Sequence, residues 1–467
     1  MPTSSVLRYF LSCSTVLAMV GCAPVGPNHE PPAMALPASF SRGGAQWQAR
    51  SPEQPKPQEW WKIYHDGTLT SLVERSLAMN QDLAASAARL RQARELSQAM
   101  RSLYFPDVTF DGRASRSKSR YLGAVAEPRI DNNLIVPVDF RYELDVWGKS
   151  RRRVESAKAT ADAASESLTA LQLTVAGEVA QTYWALRAVD TDQVALDHTL
   201  EIRRKALALL TRRRDAGSIS GLDLARAETE VATAEAERIR LEQNRIGLVH
   251  ALAVLAGSAA TGFTLPAQAA LPSPPTVPTA VPSDLLRQRP DIRGAERQVA
   301  AANADIGVAT AAFYPSFAIN ANAGLSAATL DDLFQTSSLI WSLGAEATAP
   351  VTHRNLLKNQ HRAAVAAHEA VSAEYRQTVL ESIREVENAL QGAAILERRQ
   401  TAQDQALAAA NKTFQLSVKR YQSGLVSFLD VVDAERTRLD TERAANAIRA
   451  ERLALSVSLI KALGGEW

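Results

Sequence analysis

The sequence predicts a mainly α-helical protein with a smaller β component, built from two copies of one pattern. Residues 104–106 (YFP) recur as 313–315 (FYP), 209 positions later, and a repeat of this length indicates a duplicated domain rather than a solenoid. Residues 149–216 contain no proline, and apolar residues there are spaced alternately by three and four, which is the heptad pattern of a coiled coil. Each copy also contains two segments in which apolar and polar residues alternate, and these predict β-strands.

The repeat continues through the helical hairpins. Six residues of the first copy recur 207 positions later: Gly217, Leu222, Asp223, Ala227, Glu228 and Gly257 match Gly424, Leu429, Asp430, Ala434, Glu435 and Gly464. Glycine at each hairpin turn and at the end of each returning helix is expected if the hairpin itself is duplicated. The duplicated unit is therefore a helix, a strand pair and a long helical hairpin.

These patterns divide the chain into a signal segment, a tether, two repeats and a linker. Prolines are frequent after the signal and between the repeats, and they favour irregular structure there. The predicted order is a signal peptide at 1–21, a Pro-rich tether at 22–67, repeat 1 at 68–257, a linker at 258–283 and repeat 2 at 284–467. Repeat 1 contains a first helix at 68–104, a strand pair at 107–146 and a hairpin at 150–257; repeat 2 contains them at 284–313, 316–350 and 355–463.

Residues 1–21 are predicted to be a lipoprotein signal peptide. Arg8 provides the positive charge, residues 9–20 are mostly apolar, and small Gly21 directly precedes Cys22. This order is typical of a secretory signal, and a small residue before cysteine is the cleavage pattern of bacterial lipoproteins, in which the cysteine thiol is acylated. Cys22 is therefore the predicted lipidation site.

The neighbours of Cys22 refine this prediction. Met19 stands where lipoprotein signals usually carry Leu, Val or Ile, so an ordinary signal peptide with an incidental cysteine is the alternative. Ala23 follows the cysteine, and without aspartate at this position we expect sorting to the outer membrane. Because Cys13 lies within the signal, the mature chain keeps one cysteine and cannot form an internal disulfide.

Charge and motif content exclude several functional classes. The formal net charge is +2, so there is no electrostatic basis for nucleic-acid binding. The histidines show no H-x-x-x-H spacing and there is no C-x-x-C motif, so no metal site and no enzymatic activity are predicted. No apolar run of about 18 residues follows Cys22, and we therefore expect no transmembrane helix.

Two predicted strands in each copy give four per chain, which cannot form a closed structure in a membrane. An isolated sheet keeps two unpaired edges, and only helices or closed β-barrels satisfy the backbone in lipid. Closure therefore requires several chains arranged by cyclic symmetry, which would also close a cylinder of the long helices. The sequence alone leaves the number of chains open.

Four motifs occur along the chain: WWKIYHD at 60–66, NQDLAASAARL at 80–90, RPDIRGAER at 289–297 and LGGEW at 463–467. Together they resemble the TolC-type outer-membrane efflux channel family, in its lipoprotein (OprM/NodT-like) branch. The resemblance covers essentially the whole mature chain. Residues 350–355 (PVTHRN) depart from it, since many members carry a Phe-Asp-Gly-Gly-like turn there.

The resemblance implies a homotrimer in which a twelve-stranded outer-membrane β-barrel, four strands per chain, continues into a long periplasmic α-helical barrel of coiled-coil hairpins. Residues 22–67 and 258–283 would contribute equatorial segments. Such a protein is the passive exit duct of a tripartite efflux pump, joined through a periplasmic adaptor (membrane fusion) protein to an inner-membrane pump of the RND type. The implied cargo is drugs or other small toxic molecules, and no cofactor is expected besides the covalent lipid on Cys22.

The resemblance also implies a periplasmic gate near the second hairpin turn. Leu429, Asp433 and Arg436 are spaced by four and three residues on one helix face, and they match the apolar, Asp and Arg positions of the family's aperture ring. Three Asp433 carboxylates on a threefold axis would repel one another, and Arg436 is a candidate partner. Arg226 lies 207 positions before Asp433, and we predict that these two residues pair between the hairpins. The alternative is that both are solvated charges on a coiled-coil face.

The hairpin turns are the second predicted site. Gly217 and Gly424 suit the positive φ that ends many helices. By resemblance, the two turns, together with Ser218, Leu425 and Ser427, contact the adaptor. The alternative is that they only close the helical hairpins.

A lipid-anchored periplasmic scaffold or a pump adaptor is the alternative function, because both can be built on a coiled-coil hairpin. An adaptor would have one hairpin flanked by β domains. This chain predicts two hairpins and two separated strand pairs, which favours the duct.

Overall fold

The computed structural model describes residues 23–34, 39–41, 57–119, 129–269, 271–275 and 280–465. The predicted signal peptide at 1–21, Cys22 and the terminal pair 466–467 lie outside these ranges. The chain forms two compact units, each assembled from three separate stretches. Unit 1 comprises Met1–Ala33, Arg89–Ser165 and Gly294–Arg376, and unit 2 comprises Met34–Ala88, Glu166–Arg293 and Gln377–Trp467.

The main helices are α1 (Gly67–Met79), α2 (Gln81–Met100), α3 (Lys149–Asp215), α4 (Gly221–Leu255), α5 (Pro290–Ala311), α6 (Arg354–Gln422) and α7 (Phe428–Ala462). The strands are β1 (Ser39–Ser41), β2 (Asp107–Phe110), β3 (Arg113–Ser119), β4 (Arg129–Leu144), β5 (Ala280–Pro282), β6 (Ser316–Ala327) and β7 (Leu339–Thr348). Short 3-10 helices cover Pro57–Tyr64, Arg101–Tyr104, Ser283–Gln288 and Thr336–Ser338, and Leu330–Leu333 forms a single helical turn. Not one helix in the described part of the chain combines the length and hydropathy needed to cross a membrane.

The long helices form two hairpins of nearly equal size. α3 and α6 contain 67 and 69 residues, and the returning helices α4 and α7 contain 35 residues each. The observed bounds agree with the predicted helices to within two residues. Continuous helices of this length are consistent with the absence of proline, which would remove a backbone donor and clash with the preceding turn.

The first predicted helix, 68–104, is interrupted at Asn80. The Asn80 backbone is extended, with φ −65° and ψ 130°. Its side-chain Oδ1 accepts hydrogen bonds from the amides of Asp82 (2.9 Å) and Leu83 (3.1 Å). Asn80 therefore caps α2 by satisfying amides that have no partner within the helix, and the segment forms two helices instead of one.

Two other elements differ from prediction at their boundaries. The helix predicted at 284–313 begins at Pro290, a favourable first position because its missing N–H would have no helical partner there. In the strand pair predicted at 107–146, the first strand is divided into β2 and β3 around Gly112, and the second, β4, covers Arg129–Leu144.

Five strands form one antiparallel sheet in unit 1. β2 and β3 pair in succession with β4, β4 pairs with β6, and β6 pairs with β7. The sheet therefore has four strand positions, and it joins strands from both predicted repeats. Within the described residues, β7 and the β2–β3 side are its open edges.

The two faces of this sheet differ in chemistry. Residues paired across an antiparallel ladder share a face, and the register therefore brings the apolar residues of β4, β6 and β7 onto the same face. These residues are Leu134, Val136, Val138, Phe140, Tyr142 and Leu144 of β4, Phe317, Ile319, Ala321, Ala323, Leu325 and Ala327 of β6, and Leu339, Trp341 and Leu343 of β7. We call this the apolar sheet face. The opposite face carries Asp139, Arg141, Glu143, Asn320, Asn322 and Glu346. The apolar side chains are not buried in the chain itself, since Trp341 and Leu343 are 73% and 72% exposed.

An aromatic cluster occupies the core of unit 2. It includes Trp60, Tyr64, Tyr183 and Trp184, all of which are buried. The Tyr183 hydroxyl donates to the carboxylate of Asp66 (2.7 Å), and burial raises the pKa of Tyr183 to about 12. The 60–66 motif therefore packs the segment before α1 onto α3.

Candidate functional site

The two hairpin turns, predicted as adaptor contacts, share one backbone geometry. Gly217 and Gly424 have positive φ (70° and 73°), as the sequence predicted. The amides of Ser218 and Leu425 donate to carbonyls five residues earlier, at 2.8 and 2.9 Å. A Cβ on either glycine would meet open space, so the backbone conformation, rather than crowding, favours glycine at both turns.

Each turn leads into a capped helix. The hydroxyls of Ser220 and Ser427 accept from the amides of Asp223 and Asp430, both at 3.4 Å. In the second hairpin the Ser427 amide also donates to the Asp430 carboxylate (2.8 Å), which completes a capping box. Hydrogen bonds from Ser427 lower the pKa of Asp430. Ser427 therefore stabilises the start of α7, whereas the Leu425 side chain is exposed.

Three of the four predicted gate residues line one groove between the hairpins. Arg226 of α4 and Leu429 and Arg436 of α7 border a cavity of about 400 Å³. Its remaining lining residues are Leu222, Asp223, Ala225, Thr229, Glu230, Phe428 and Val432. Asp433 lies outside this lining, although its charge contributes to the raised pKa of Arg436, for which the hydrogen bond with Glu230 is the larger cause.

The charges in the groove pair differently from the prediction. Arg226 Nη1 lies 3.9 Å from Asp223 Oδ1, and Arg436 donates to the Glu230 carboxylate through Nε (3.1 Å) and Nη2. Within the described part of one chain, no ion pair joins Arg226 to Asp433, whose backbone carbonyl accepts from the Thr437 hydroxyl (2.8 Å). A pair between neighbouring chains of an oligomer stays a prediction.

A buried charge network lies beside the groove. Arg203 of α3 donates to Glu435 of α7 through Nε (3.0 Å) and Nη2 (2.6 Å), and its Nη1 lies 3.1 Å from Glu230 Oε2. Because Glu230 also pairs with Arg436, four charges alternate from Glu435 through Arg203 and Glu230 to Arg436; we call this the Arg203 network. The side chains of Arg203, Glu230 and Glu435 are only 11%, 8% and 4% exposed, so these three join the two hairpins away from water, whereas Arg436 at the end of the network is 54% exposed.

Sequence reasoning did not identify this network. The available signal was the position of Glu230, three residues after buried Ala227 and four before buried Ala234, where the heptad pattern places an apolar residue. Glu435 was noted as the repeat of Glu228, yet Glu228 is exposed and Glu435 is buried. A charge on the buried seam of a helix requires a partner, because an uncompensated buried charge costs several kcal/mol.

A second polar contact joins the hairpins. Arg443 of α7 donates to Glu237 of α4 (2.8 Å) and to Asp192 of α3 (3.5 Å). A hydrogen bond from Arg240, together with Arg443, lowers the pKa of Glu237 to about 2, whereas burial raises the pKa of Asp192. Glu237 is therefore an anion at every pH at which the protein is expected to work.

The RPDI motif connects to the end of the second hairpin. Arg289 Nη1 donates to the Ala462 carbonyl (2.9 Å), and the guanidinium also binds Asp291 (2.7 Å) and Glu385 (2.9 Å). In the first repeat, the side-chain Nδ2 of Asn80 donates to the Leu255 carbonyl (3.1 Å) in the same way. The donors lie 209 positions apart and the acceptors 207, which are the two offsets of the sequence repeat.

The residues that follow Cys22 pack against the rest of unit 1. Arg152, which is 3% exposed, donates to the Gly26 carbonyl (3.4 Å) and to the Asn28 side chain (2.9 Å). Gly26 has φ 90°, and a Cβ there would lie 2.5 Å from the Gly307 Cα, so the two backbones approach closely. The start of the predicted tether is therefore bound to the protein.

In the ranges that the structure describes, no three His, Cys, Asp or Glu side chains are grouped to hold a metal ion. The family model for "Outer membrane efflux protein" matches residues 72–258 and 281–465, which is most of the chain. The chain belongs to the outer membrane efflux protein family. The predicted resemblance and the outer-membrane location are thus confirmed, and this is a family of efflux ducts rather than a class of enzymes.

Relatives and solved structures agree over nearly the full length. The solvent efflux pump outer membrane protein SrpC of Pseudomonas putida is 32% identical over 463 residues, covering 97% of each chain. The pyoverdine export outer membrane protein OpmQ of Pseudomonas putida is 32% identical over 441 residues, covering 91% of this chain and 92% of OpmQ. The outer-membrane channel OprN superposes with a TM-score of 0.86 at 30% identity, covering 95% of this chain and 99% of that one. The mainly helical fold with a small sheet is therefore shared with efflux channels.

Proposed function

We propose that this outer membrane efflux protein is the exit duct of a tripartite pump, through which drugs or other small toxic molecules pass passively from the periplasm to the exterior. The apolar sheet face is the observation that carries the proposal. A sheet in which β4, β6 and β7 present one apolar face and one charged face fits a wall that separates lipid from water. The named relatives SrpC and OpmQ, which serve solvent efflux and pyoverdine export, support small molecules as the cargo.

The length of the apolar sheet face fits a bilayer. Leu134 and Leu144 mark its two ends on β4, and ten steps of about 3.3 Å give roughly 33 Å along the strand. With a strand tilt of about 40°, this corresponds to about 25 Å along the membrane normal, the height of the apolar band in outer-membrane proteins. The opposite face would line the water-filled path.

The open edges of the sheet support assembly from several chains. Four strand positions per chain leave edges at β7 and at β2–β3, and pairing these edges between symmetric copies would remove them. We infer a homotrimer with twelve strand positions in a closed barrel. The hairpins of the three chains would continue this barrel, and the internal repeat would be the origin of the two hairpins in each chain. A scaffold or an adaptor would have no use for a sheet with one lipid-compatible face.

The hairpin turns are the proposed periplasmic end. We infer that a periplasmic adaptor contacts the turns through Gly217, Ser218, Gly424, Leu425 and Ser427, and connects the duct to an inner-membrane pump of the RND type. Leu429, Asp433, Arg436 and Arg226 would form the gate that stays closed until docking. An acylated Cys22 would add a lipid anchor, with the bound residues 24–28 leading from it.

Conductance in planar bilayers tests the proposed duct. The purified protein should form threefold cylinders in negative-stain electron microscopy, insert into bilayers and show small, mostly closed conductance. Extraction should still need detergent after Cys22→Ser with a cleavable signal retained. Single thin rods without conductance would contradict the duct and favour the scaffold.

Charge reversal tests the proposed gate. Asp433→Arg should increase the permeability of cells to large antibiotics, because it removes the carboxylate from the aperture. Asp440, exposed on the same helix and seven residues away, provides the matched control, and Asp440→Arg should leave permeability unchanged. Unchanged permeability in the Asp433 variant would show that this residue does not gate the duct.

A further inference from the structure

One end of the sheet carries two cations beyond the apolar band. β3 and β4 continue as a two-stranded arm past the last β4–β6 pair, Leu134↔Ala327. In this arm Arg116 pairs with Asn132 and Lys118 pairs with Ile130. The opposite end of the sheet, at Asp107 and Leu144, lies next in sequence to the helices.

The register decides which face these cations occupy. Ala114 is paired with Leu134, so it lies on the apolar sheet face, and alternate residues of a strand share a face. Arg116 and Lys118, two and four residues further on, therefore lie on that same face. At about 3.4 Å per residue they stand roughly 7 and 14 Å along the strand beyond the apolar band.

Among the residues that the structure describes, no carboxylate pairs with either cation on this face. Both residues are exposed, and within the described residues neither forms an ion pair. Arg113, which faces the other way, lies 3.8 Å from Asp111. Two unpaired cations directly beyond a lipid-compatible surface are complementary to anionic headgroups at the edge of a bilayer.

We infer that Arg116 and Lys118 bind the phosphate groups of an anionic glycolipid in the outer leaflet, of the lipid A type. The inference rests on the proposed function, because it requires that the apolar sheet face lies in the membrane. Arginine suits this role because its planar guanidinium matches phosphate oxygens in a bidentate manner. The interaction would fix the height of the sheet in the membrane at its outer end.

Binding of purified diphosphorylated lipid A to the detergent-solubilised full-length protein tests this site. A cation near an anionic lipid surface contributes about fivefold in affinity, so R116S/K118S should bind lipid A on the order of 30-fold more weakly, as measured by native mass spectrometry. Arg113→Ser removes a cation from the same strand but the opposite face, and should change the affinity less than about twofold. The conservative R116K/K118R variant should bind nearly as well as the unmodified protein, which controls for folding of the arm.

Two results would overturn the inference. One is binding of lipid A by R116S/K118S within twofold of the unmodified protein. The other is an equal loss with dephosphorylated lipid A, which would show that phosphate is not recognised. Conductance in glycolipid-free bilayers is measured on the same preparations. Absence of conductance in the unmodified protein would refute the duct. Normal conductance, together with unaltered lipid A binding by R116S/K118S, would refute only this site.

Discussion

The first hairpin (α3 and α4) and the second hairpin (α6 and α7) can be compared residue by residue, because matching positions lie 207 apart. Both returning helices contain 35 residues, start at a serine cap and follow a glycine with positive φ. The buried charges do not match: Glu230 corresponds to Thr437, and buried Glu435 corresponds to exposed Glu228. Backbone features set by local sequence recur in both hairpins, whereas the buried charges differ because the packing around them differs.

Because their buried charges differ, the two hairpins contribute complementary residues to one set of contacts. In the Arg203 network the first hairpin contributes Arg203 and Glu230, and the second contributes Glu435 and Arg436. Each hairpin therefore presents one cation and one anion to the other. Variants at matching or adjacent positions can show how much each shared or unshared feature contributes to stability.

The largest loss of stability is expected when the Arg203 network is disrupted, because its buried charges are not repeated at the matching positions of the two hairpins. Arg203→Met should lower the free energy of unfolding by about 3–5 kcal/mol, because Glu435 would remain buried without its cation. The adjacent Arg204 pairs with Glu235 and is 60% exposed, so Arg204→Met should cost about 0–1 kcal/mol. Urea denaturation followed by circular dichroism measures both variants, and equal losses would show that the network does not stabilise the hairpin pair.

Substitution by alanine should destabilise the protein unequally at the two glycines that end the returning helices. Gly257 and Gly464 both have positive φ (64° and 75°), where alanine costs about 1–2 kcal/mol. A Cβ at Gly257 would also collide with the backbone carbonyl oxygen of Met79, whereas at Gly464 the nearest atoms, of Arg289, lie 3.4 Å away. Overpacking adds about 1–3 kcal/mol, so Gly257→Ala should lower the melting temperature more than Gly464→Ala; the reverse order would contradict this account.

The contacts at the ends of the two hairpins should differ in how much they stabilise the protein, because only the contact of the second hairpin has a charged donor. Arg289→Ala should cost about 2–3 kcal/mol, because it removes charge-assisted hydrogen bonds to Ala462, Asp291 and Glu385. Asn80→Ala removes a neutral bond and a helix cap, and should cost about 1–2 kcal/mol. Denaturation at low and high salt measures the difference, which should narrow at high salt because ion pairs are screened.

The smallest effect is expected from titration of Glu237, which accepts hydrogen bonds from Arg240 of its own helix and from Arg443 of α7. The pKa of Glu237 in the folded protein is about 2, below its ordinary value of 4.5. Its stabilising contribution is therefore present above pH 4.5 and is lost as the pH falls from 4.5 towards 2. Because the pair is only partly buried, the loss should be about 1 kcal/mol or less. Glu237→Gln should flatten the stability profile in that interval, and an unchanged profile would assign the acid sensitivity to other groups.

Much of the fold was predictable because its elements depend on nearby residues. The heptad spacing and the lack of proline located both hairpins, and alternation located the strands. The interruption at Asn80 was missed, since an asparagine inside a helical pattern caps a new helix only when the chain changes direction there. The spacing of Leu429 and Arg436 predicted one helix face, and both residues line the groove, but the partner of Arg436, Glu230, is 206 residues away.

The sequence by itself determined the helices, the glycine turns, the two-faced strands and the family to which the chain belongs, because these features depend on the spacing of nearby residues and on short motifs. Only the tertiary structure decided that strands of both repeats share one sheet and that Arg203, Glu230, Glu435 and Arg436 meet. The physical reason is distance along the chain. Pairing between remote residues depends on how helices pack, and a charge on a helix surface becomes buried or solvated according to what packs against it.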